Sequence, residues 1–141
     1  MGMNMFNLNN EAMEQAIAEA MMPGDRFSCP VYVSFGKEHM LGSSLSNQYG
    51  YAAVTDSSCL VVVRYNMLGM KLSSQYYALQ DLQSMSVSRG IGALTSVKLA
   101  FASGTGMEQL HLRISPKVYM SKLTDQKQNL EGLIDALERW R

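Results

Sequence analysis

Two histidines, two cysteines and a few acids are the residues of this chain able to do chemistry, and their spacing brings little of it together. His39 stands in a polar stretch with Lys37, Glu38 and Met40, where an acid–base pair or a ligand contact would need it. A single loop histidine is far more often simply solvated. No second histidine can be placed near it, because His111 alternates outward between Leu110 and Leu112. Cys29 and Cys59 would be redox-active only as neighbours in an electropositive, accessible setting. Cys29 falls on an apolar strand face, which predicts a buried, inert thiol. Two sulfurs without convergent histidines make no zinc site, so no cofactor is implied. Gly90-Ile91-Gly92 and Gly104-Thr105-Gly106 are turn-sized and lack the helix and lysine of a phosphate loop. No nucleophile elbow or paired-carboxylate arrangement stands out either. These residues predict a protein that is not an enzyme.

Composition narrows the partners. The chain has 141 residues, 47% hydrophobic and 17% charged, enough for one globular domain with its own core. A formal net charge of zero argues against nucleic acid or an acidic membrane held by bulk electrostatics. Residues 1–70 carry six acids against three bases and residues 71–141 six against nine, a mild asymmetry. The later bases, Arg89, Lys117 and Lys127 among them, look scattered and read as a solvated surface. No apolar run approaches the length of a membrane span, and no leader is visible, so a cytoplasmic protein is expected.

The elements that would position these residues follow from periodicity. After a Met- and Asn-rich start, Asn10–Met22 reads as a helix with Leu8, Met13, Ile17 and Met21 on one side and Asn9 or Asn10 as N-cap. Pro23-Gly24 ends it. Arg26–Phe35 alternates cleanly: Phe27, Cys29, Val31, Val33 and Phe35 one way, Ser28, Tyr32 and Ser34 the other. Pro30 cannot donate to a ladder and predicts an edge or a bulge. Gly36–Gln48 is the longest loop candidate. Gly50–Thr55 and Cys59–Tyr65 flank Asp56-Ser57-Ser58 and predict a central hairpin. Weaker strands follow at Met70–Ala78 and Leu82–Ser88. Thr95–Phe101 then places Val97, Leu99 and Phe101 inward, and Leu110, Leu112 and Ile114 close a seventh strand. Ser115-Pro116 predicts a short helical turn to about Met120. Thr124 is then expected to cap a helix striped by Leu130, Leu133, Ile134, Leu137 and Trp140. Gly132 within it costs about 1 kcal/mol of propensity unless it allows close approach to the sheet.

Seven antiparallel strands closed by one amphipathic C-terminal helix is the element order of the pleckstrin-homology-like fold, a mainly β sandwich or partly open barrel. Local text agrees. Pro23-Gly24-Asp25 resembles the Gly-acid entry of bacterial pleckstrin-homology domains. Gly50–Asp56 (GYAAVTD) followed by Leu60-Val61-Val62-Val63 resembles their second and third strands, and Ala78–Met85 (ALQDLQSM) the approach to the fifth. The chain thus resembles the bacterial pleckstrin-homology-like family over residues 23–141. An N-terminal tail and helix, residues 1–22, lie outside the resemblance. The family often has an arginine just before the third-strand leucine; here that place is Cys59, so its role does not transfer. Phosphoinositide-binding relatives use a basic cluster after the first strand, where this chain offers Lys37 beside Glu38, which argues against that ligand.

The resemblance implies a non-catalytic interaction module that binds protein, including another copy of itself. Its expected contacts are an open sheet edge, the loop with Lys37, Glu38, His39 and Met40, and the N-terminal helix with Met13 and Met21. Methionine is common here, 12 residues, and suits soft contact surfaces as well as gap-filling in cores. A small-ligand or lipid head-group binder using Lys37 and His39 is the alternative.

Overall fold

The computed structural model describes residues 8–36, 48–119 and 121–141. Lys37, Glu38, His39 and Met40 lie outside the described residues. In chain order the elements are α1 (Asn10–Ala20), β1 (Phe27–Phe35), β2 (Gln48–Thr55), β3 (Cys59–Tyr65), β4 (Lys71–Ala78), β5 (Leu82–Arg89), β6 (Thr95–Ser103), β7 (Gly106–Ile114) and α2 (Gln126–Glu138). The strands form one antiparallel sheet in the order β4-β3-β2-β1-β7-β6-β5. Although β4 and β6 are far apart in that order, the rings of Tyr77 and Phe101 stack 4.9 Å apart. The sheet therefore curls over itself, and the fold is the pleckstrin-homology-like sandwich that the element order predicts.

The central hairpin turns on short polar side chains. Thr55 Oγ1 accepts from the Cys59 amide at 3.2 Å, and Ser58 takes a left-handed φ of 63°. The Ser57 hydroxyl donates to Asp25 at 2.6 Å, tying the turn to the entry of β1. That bond, helped by the Arg26 and Ser57 amides, holds the exposed Asp25 carboxyl below the usual carboxylate range. Gly50 is obligatory for a different reason: a Cβ there would collide with the Val63 carbonyl on β3. The hairpin is central to the sheet, and β2 and β3 are buried on both faces. The near-continuous runs Tyr51–Val54 and Leu60–Val63 are what double burial looks like in sequence.

The inner face holds the main core. Val31, Val33, Leu60, Val62, Leu99 and Leu112 enclose Leu130, Leu133, Ile134 and Leu137 of α2. Trp140 was expected on that stripe. It lies beyond the helix end at Glu138 and is 41% exposed. Gly132 does allow close approach, because its position is packed against Cys29 Sγ.

Near that contact β1 departs from simple alternation. Ser28 pairs with Val54 but Val31 with Ala52, so three residues of β1 span two of β2. This is the bulge that Pro30 signals, with Cys29 at φ 55°. It reverses the side-chain parity, and Phe27 packs on the outer face instead of beside Val31. β1 then pairs with β7 only at Ser34 and Phe35, leaving its first half without a strand on that side. Side-chain amides of α2 fill the gap. Gln126 accepts from the Tyr32 amide at 3.0 Å and donates to the Tyr32 carbonyl at 2.8 Å, and Asn129 donates to the Pro30 carbonyl at 2.9 Å. Buried backbone groups need such partners.

The outer face of β1–β3 is covered by α1. Met13 and Ile17 sit on Tyr32, Tyr51, Ala53, Val61 and Val63. Burial pushes the Tyr32 and Tyr51 hydroxyls well above the usual phenol range, with neighbouring tyrosines adding to it. The Tyr32 hydroxyl finds no hydrogen-bond partner among the described residues. The helix is capped by Asn9, whose side chain accepts from the Ala12 amide at 2.7 Å. It stops at Ala20 rather than Met22, because Met21 is already extended ahead of Pro23. Thr124 does not cap α2; Asp125 holds that place, and Thr124 Oγ1 accepts from Asn10 Nδ2 at 2.6 Å. The expected turn of helix after Ser115 is absent from residues 115–119. There the Ser115 hydroxyl bonds the Lys117 carbonyl at 2.7 Å, and its own carbonyl accepts from Gln126 at 3.1 Å.

Candidate functional site

Of the residues with chemical potential, His111 is half-buried on the outward side of β7, as its alternation predicts. Its Nε2 meets the Ser96 hydroxyl at 2.9 Å, and its ring occupies the space where Gly36 has no side chain. This serine–imidazole contact spans the neighbouring strands β6 and β7, and neither residue lines the cleft at the start of α2. Cys29 and Cys59 are both free thiols, separated by β2, with Cys29 against α2 and Cys59 Sγ directed to the Ser57 carbonyl. Among the described residues no three His, Cys, Asp or Glu side chains converge to hold a metal ion. None of their helices is long and apolar enough to cross a membrane.

The two methionines named for partner contact have different settings. Met13 is 2% exposed and belongs to the packing between α1 and the sheet. Met21 is half-buried at the end of α1, where the Tyr76 hydroxyl donates to its sulfur at 3.1 Å. The same hydroxyl accepts from the Met22 amide at 2.8 Å, so the end of α1 is fastened to β4.

Two surface features emerge from the fold instead. The first is the turn from β3 to β4. Asn66 Oδ1 accepts from the amides of Leu68 at 2.9 Å and Met70 at 3.0 Å, and Gly69 takes φ 80°. One asparagine thus satisfies the turn's backbone donors and fixes its shape. Around it Met67, Leu68, Met70 and Leu72 are exposed by 44, 79, 60 and 48%. Turns usually carry glycine, asparagine, aspartate or serine. An apolar Met-Leu-Gly-Met between Asn66 and Lys71 is the signal that reading by periodicity passes over. The tip opens directly into β4, an edge strand of the sheet.

The second is a cleft of about 530 Å³ at the start of α2. Arg89 from the end of β5, Lys117 after β7, and Lys127 and Glu131 from the first turns of α2 line it. Arg89 Nη2 reaches both Glu131 oxygens, at 3.0 and 3.2 Å, and its Nη1 donates to Thr95 Oγ1 at 3.2 Å. Bases that look scattered along the chain therefore line one cleft. Nothing local in sequence announces this, because their meeting depends on where β5, β7 and α2 end.

A seven-stranded antiparallel sheet curled over a C-terminal helix defines the class as pleckstrin-homology-like. No protein-family model matches the chain, and no curated protein does. Among solved structures it is similar to the hSac2 domain from human phosphoinositide phosphatase Sac2. The TM-score is 0.61 at 10% sequence identity, covering 92% of this chain and 79% of that one. At that identity the likeness shows the fold alone.

Proposed function

We propose that this chain is a cytoplasmic, non-catalytic interaction module of the bacterial pleckstrin-homology-like kind, binding protein and most directly a second copy of itself. The observation that carries the reading is the run Met67–Leu72, four large apolar side chains held in solvent by an ordered turn at the head of an edge strand. Contiguous apolar patches on a folded surface mark contact sites, and an edge strand supplies backbone donors and acceptors for pairing. A preshaped turn also loses little freedom on binding. Lipid head-group binding has less support. Arg64, near the same end, is already held 4.2 Å over the Phe35 ring and bonded to Gln48 at 3.2 Å. The phosphoinositide connection is a property of the Sac2 protein and rests on no residue of this chain.

Sedimentation equilibrium of the chain and of Leu68→Asp/Met70→Asp tests this. The parent is expected to associate as concentration rises, and the double variant to stay monomeric with an unchanged melting temperature. A parent that remains monomeric throughout removes self-association. Unchanged association of the variant removes the tip.

A further inference from the structure

The ladder between β3 and β4 fixes what the sheet edge offers. The Leu79 amide bonds the Ser58 carbonyl at 3.0 Å, one step beyond the opposed pair Cys59 and Ala78. Hydrogen-bonded pairs alternate along an antiparallel ladder, so Tyr77, Gln75 and Ser73 turn their backbone groups to β3. Ala78, Tyr76 and Ser74 turn theirs to the free edge. A bulge at Leu72 ends this regular run toward the apolar tip. The other end of β4 carries a second apolar surface on the outer face of the sheet. Tyr76 is bonded to Met21 and Met22 there, and beside them lies a cleft of about 520 Å³ lined by Met21, Met22, Pro23 and Phe27. Asp25, also in its lining, is bonded to Ser57 just ahead of β3, which places the cleft at the Ala78 end. Asp25 and Arg26, one acid and one base, offset each other in that lining, so the cleft suits an uncharged apolar occupant.

We propose that two copies of the chain join through β4, antiparallel about a two-fold axis at Gln75, with the tip of each directed to the cleft at the end of α1 in the other. The assignment rests on the self-association proposed above and adds to it the register and the receiving surface. Directly opposed residues share a face of the joined sheet, and the bonded pairs among them must be edge-facing. Axes at Ser74 and at Gln75 overlap the most strand. The first relies on Leu72 in the bulge, whereas the second sets Ser74 against Tyr76 twice, both in the regular run. It also sets Leu72 against Ala78 and carries Met70 and Leu68 past that residue, toward the cleft. Antiparallel order brings each Lys71 beside the turn that holds Asp81, where parallel order would set the two lysines side by side. A second copy is the occupant because the chain holds both halves of the contact, as a two-fold interface requires.

The test combines amide exchange and cysteine cross-linking on the whole chain, with sedimentation reporting its state of association. From dilute to associated protein, the Ser74 and Tyr76 amides are expected to gain at least about tenfold protection, while Gln75 and Tyr77, already bonded to β3, change little. Under mild oxidation Gln75→Cys should cross-link to its twin, because opposed Cβ atoms lie about 5 Å apart. Lys71→Cys should not, since its two copies stand about 26 Å apart. The parent, with free Cys29 and Cys59, sets the background. Met22→Asp changes a side chain that is 60% exposed and should weaken association about tenfold at an unchanged melting temperature. A dimer with no gain of protection at Ser74 and Tyr76, or one cross-linked through Lys71→Cys in place of Gln75→Cys, overturns the pairing and leaves self-association standing. Undiminished association of Met22→Asp overturns the receiving cleft. A parent that stays monomeric at every concentration removes the pairing and the self-association together.

Discussion

Strands β1 to β3 meet a helix on each face, and the two contacts differ in kind. On the inner face α2 inserts Leu130, Leu133, Ile134 and Leu137 among side chains from both halves of the curled sheet. It also replaces a missing strand, lending Gln126 and Asn129 to the backbone of β1. On the outer face α1 buries only Met13 and Ile17 from its own length, against tyrosines, valines and an alanine on strands that already pair with one another. Its ends are tied as well, at Thr124 and at Tyr76. One helix builds the domain; the other is laid over it. The lesson is that an amphipathic stripe measures how much a helix buries, not how much depends on it.

That contrast predicts unequal costs for similar substitutions. Leu133→Ala should be the most damaging, about 4 kcal/mol of unfolding free energy by urea titration, because the surrounding core is fixed from several sides and cannot collapse into the void. Gln126→Ala should cost about 3 kcal/mol, since it strands the Tyr32 amide and carbonyl in a buried setting. A loss under about 1 kcal/mol would mean that water readily takes the place of this side chain. Ile17→Ala removes an equally buried side chain, yet should cost only about 2 kcal/mol. Its penalty is capped by the free energy of releasing α1 from the sheet. A cost equal to that of Leu133→Ala would erase the distinction between the faces. The mildest change is Gly132→Ala, about 1 kcal/mol, as crowding of Cys29 Sγ outweighs the gain in helix propensity. Combining it with Cys29→Gly should recover the loss, and additive costs in that double-variant cycle would show that the two positions do not meet.

Much of the fold was legible because its strands alternate or run apolar and its turns carry the right residues. Val97, Leu99 and Phe101 point inward as their spacing predicts, and Pro30 marks the bulge. The parity reversal that sends Phe27 outward was not legible, since proline announces an irregularity without fixing how many residues it takes up. Nor was the docking of α1: its apolar stripe names a face and leaves the receiving surface open. Asn10 and Thr124 show why, for the contact that ties the start of α1 down spans more than 100 residues. The candidate contact surfaces divide the same way. The Met67–Leu72 tip left a local signal, an apolar turn, that periodicity passed over, whereas Arg89, Lys117 and Lys127 meet only after three elements have ended in one place.

The claim that one helix belongs to the domain and the other covers it is tested most directly by native-state hydrogen exchange. Amides of α1 from Met13 to Ala20 should exchange at least about a hundredfold faster than those of α2 from Leu130 to Leu137, with β2 and β3 remaining protected while α1 opens. Equal protection of both helices, lost together in one global event, would contradict the account.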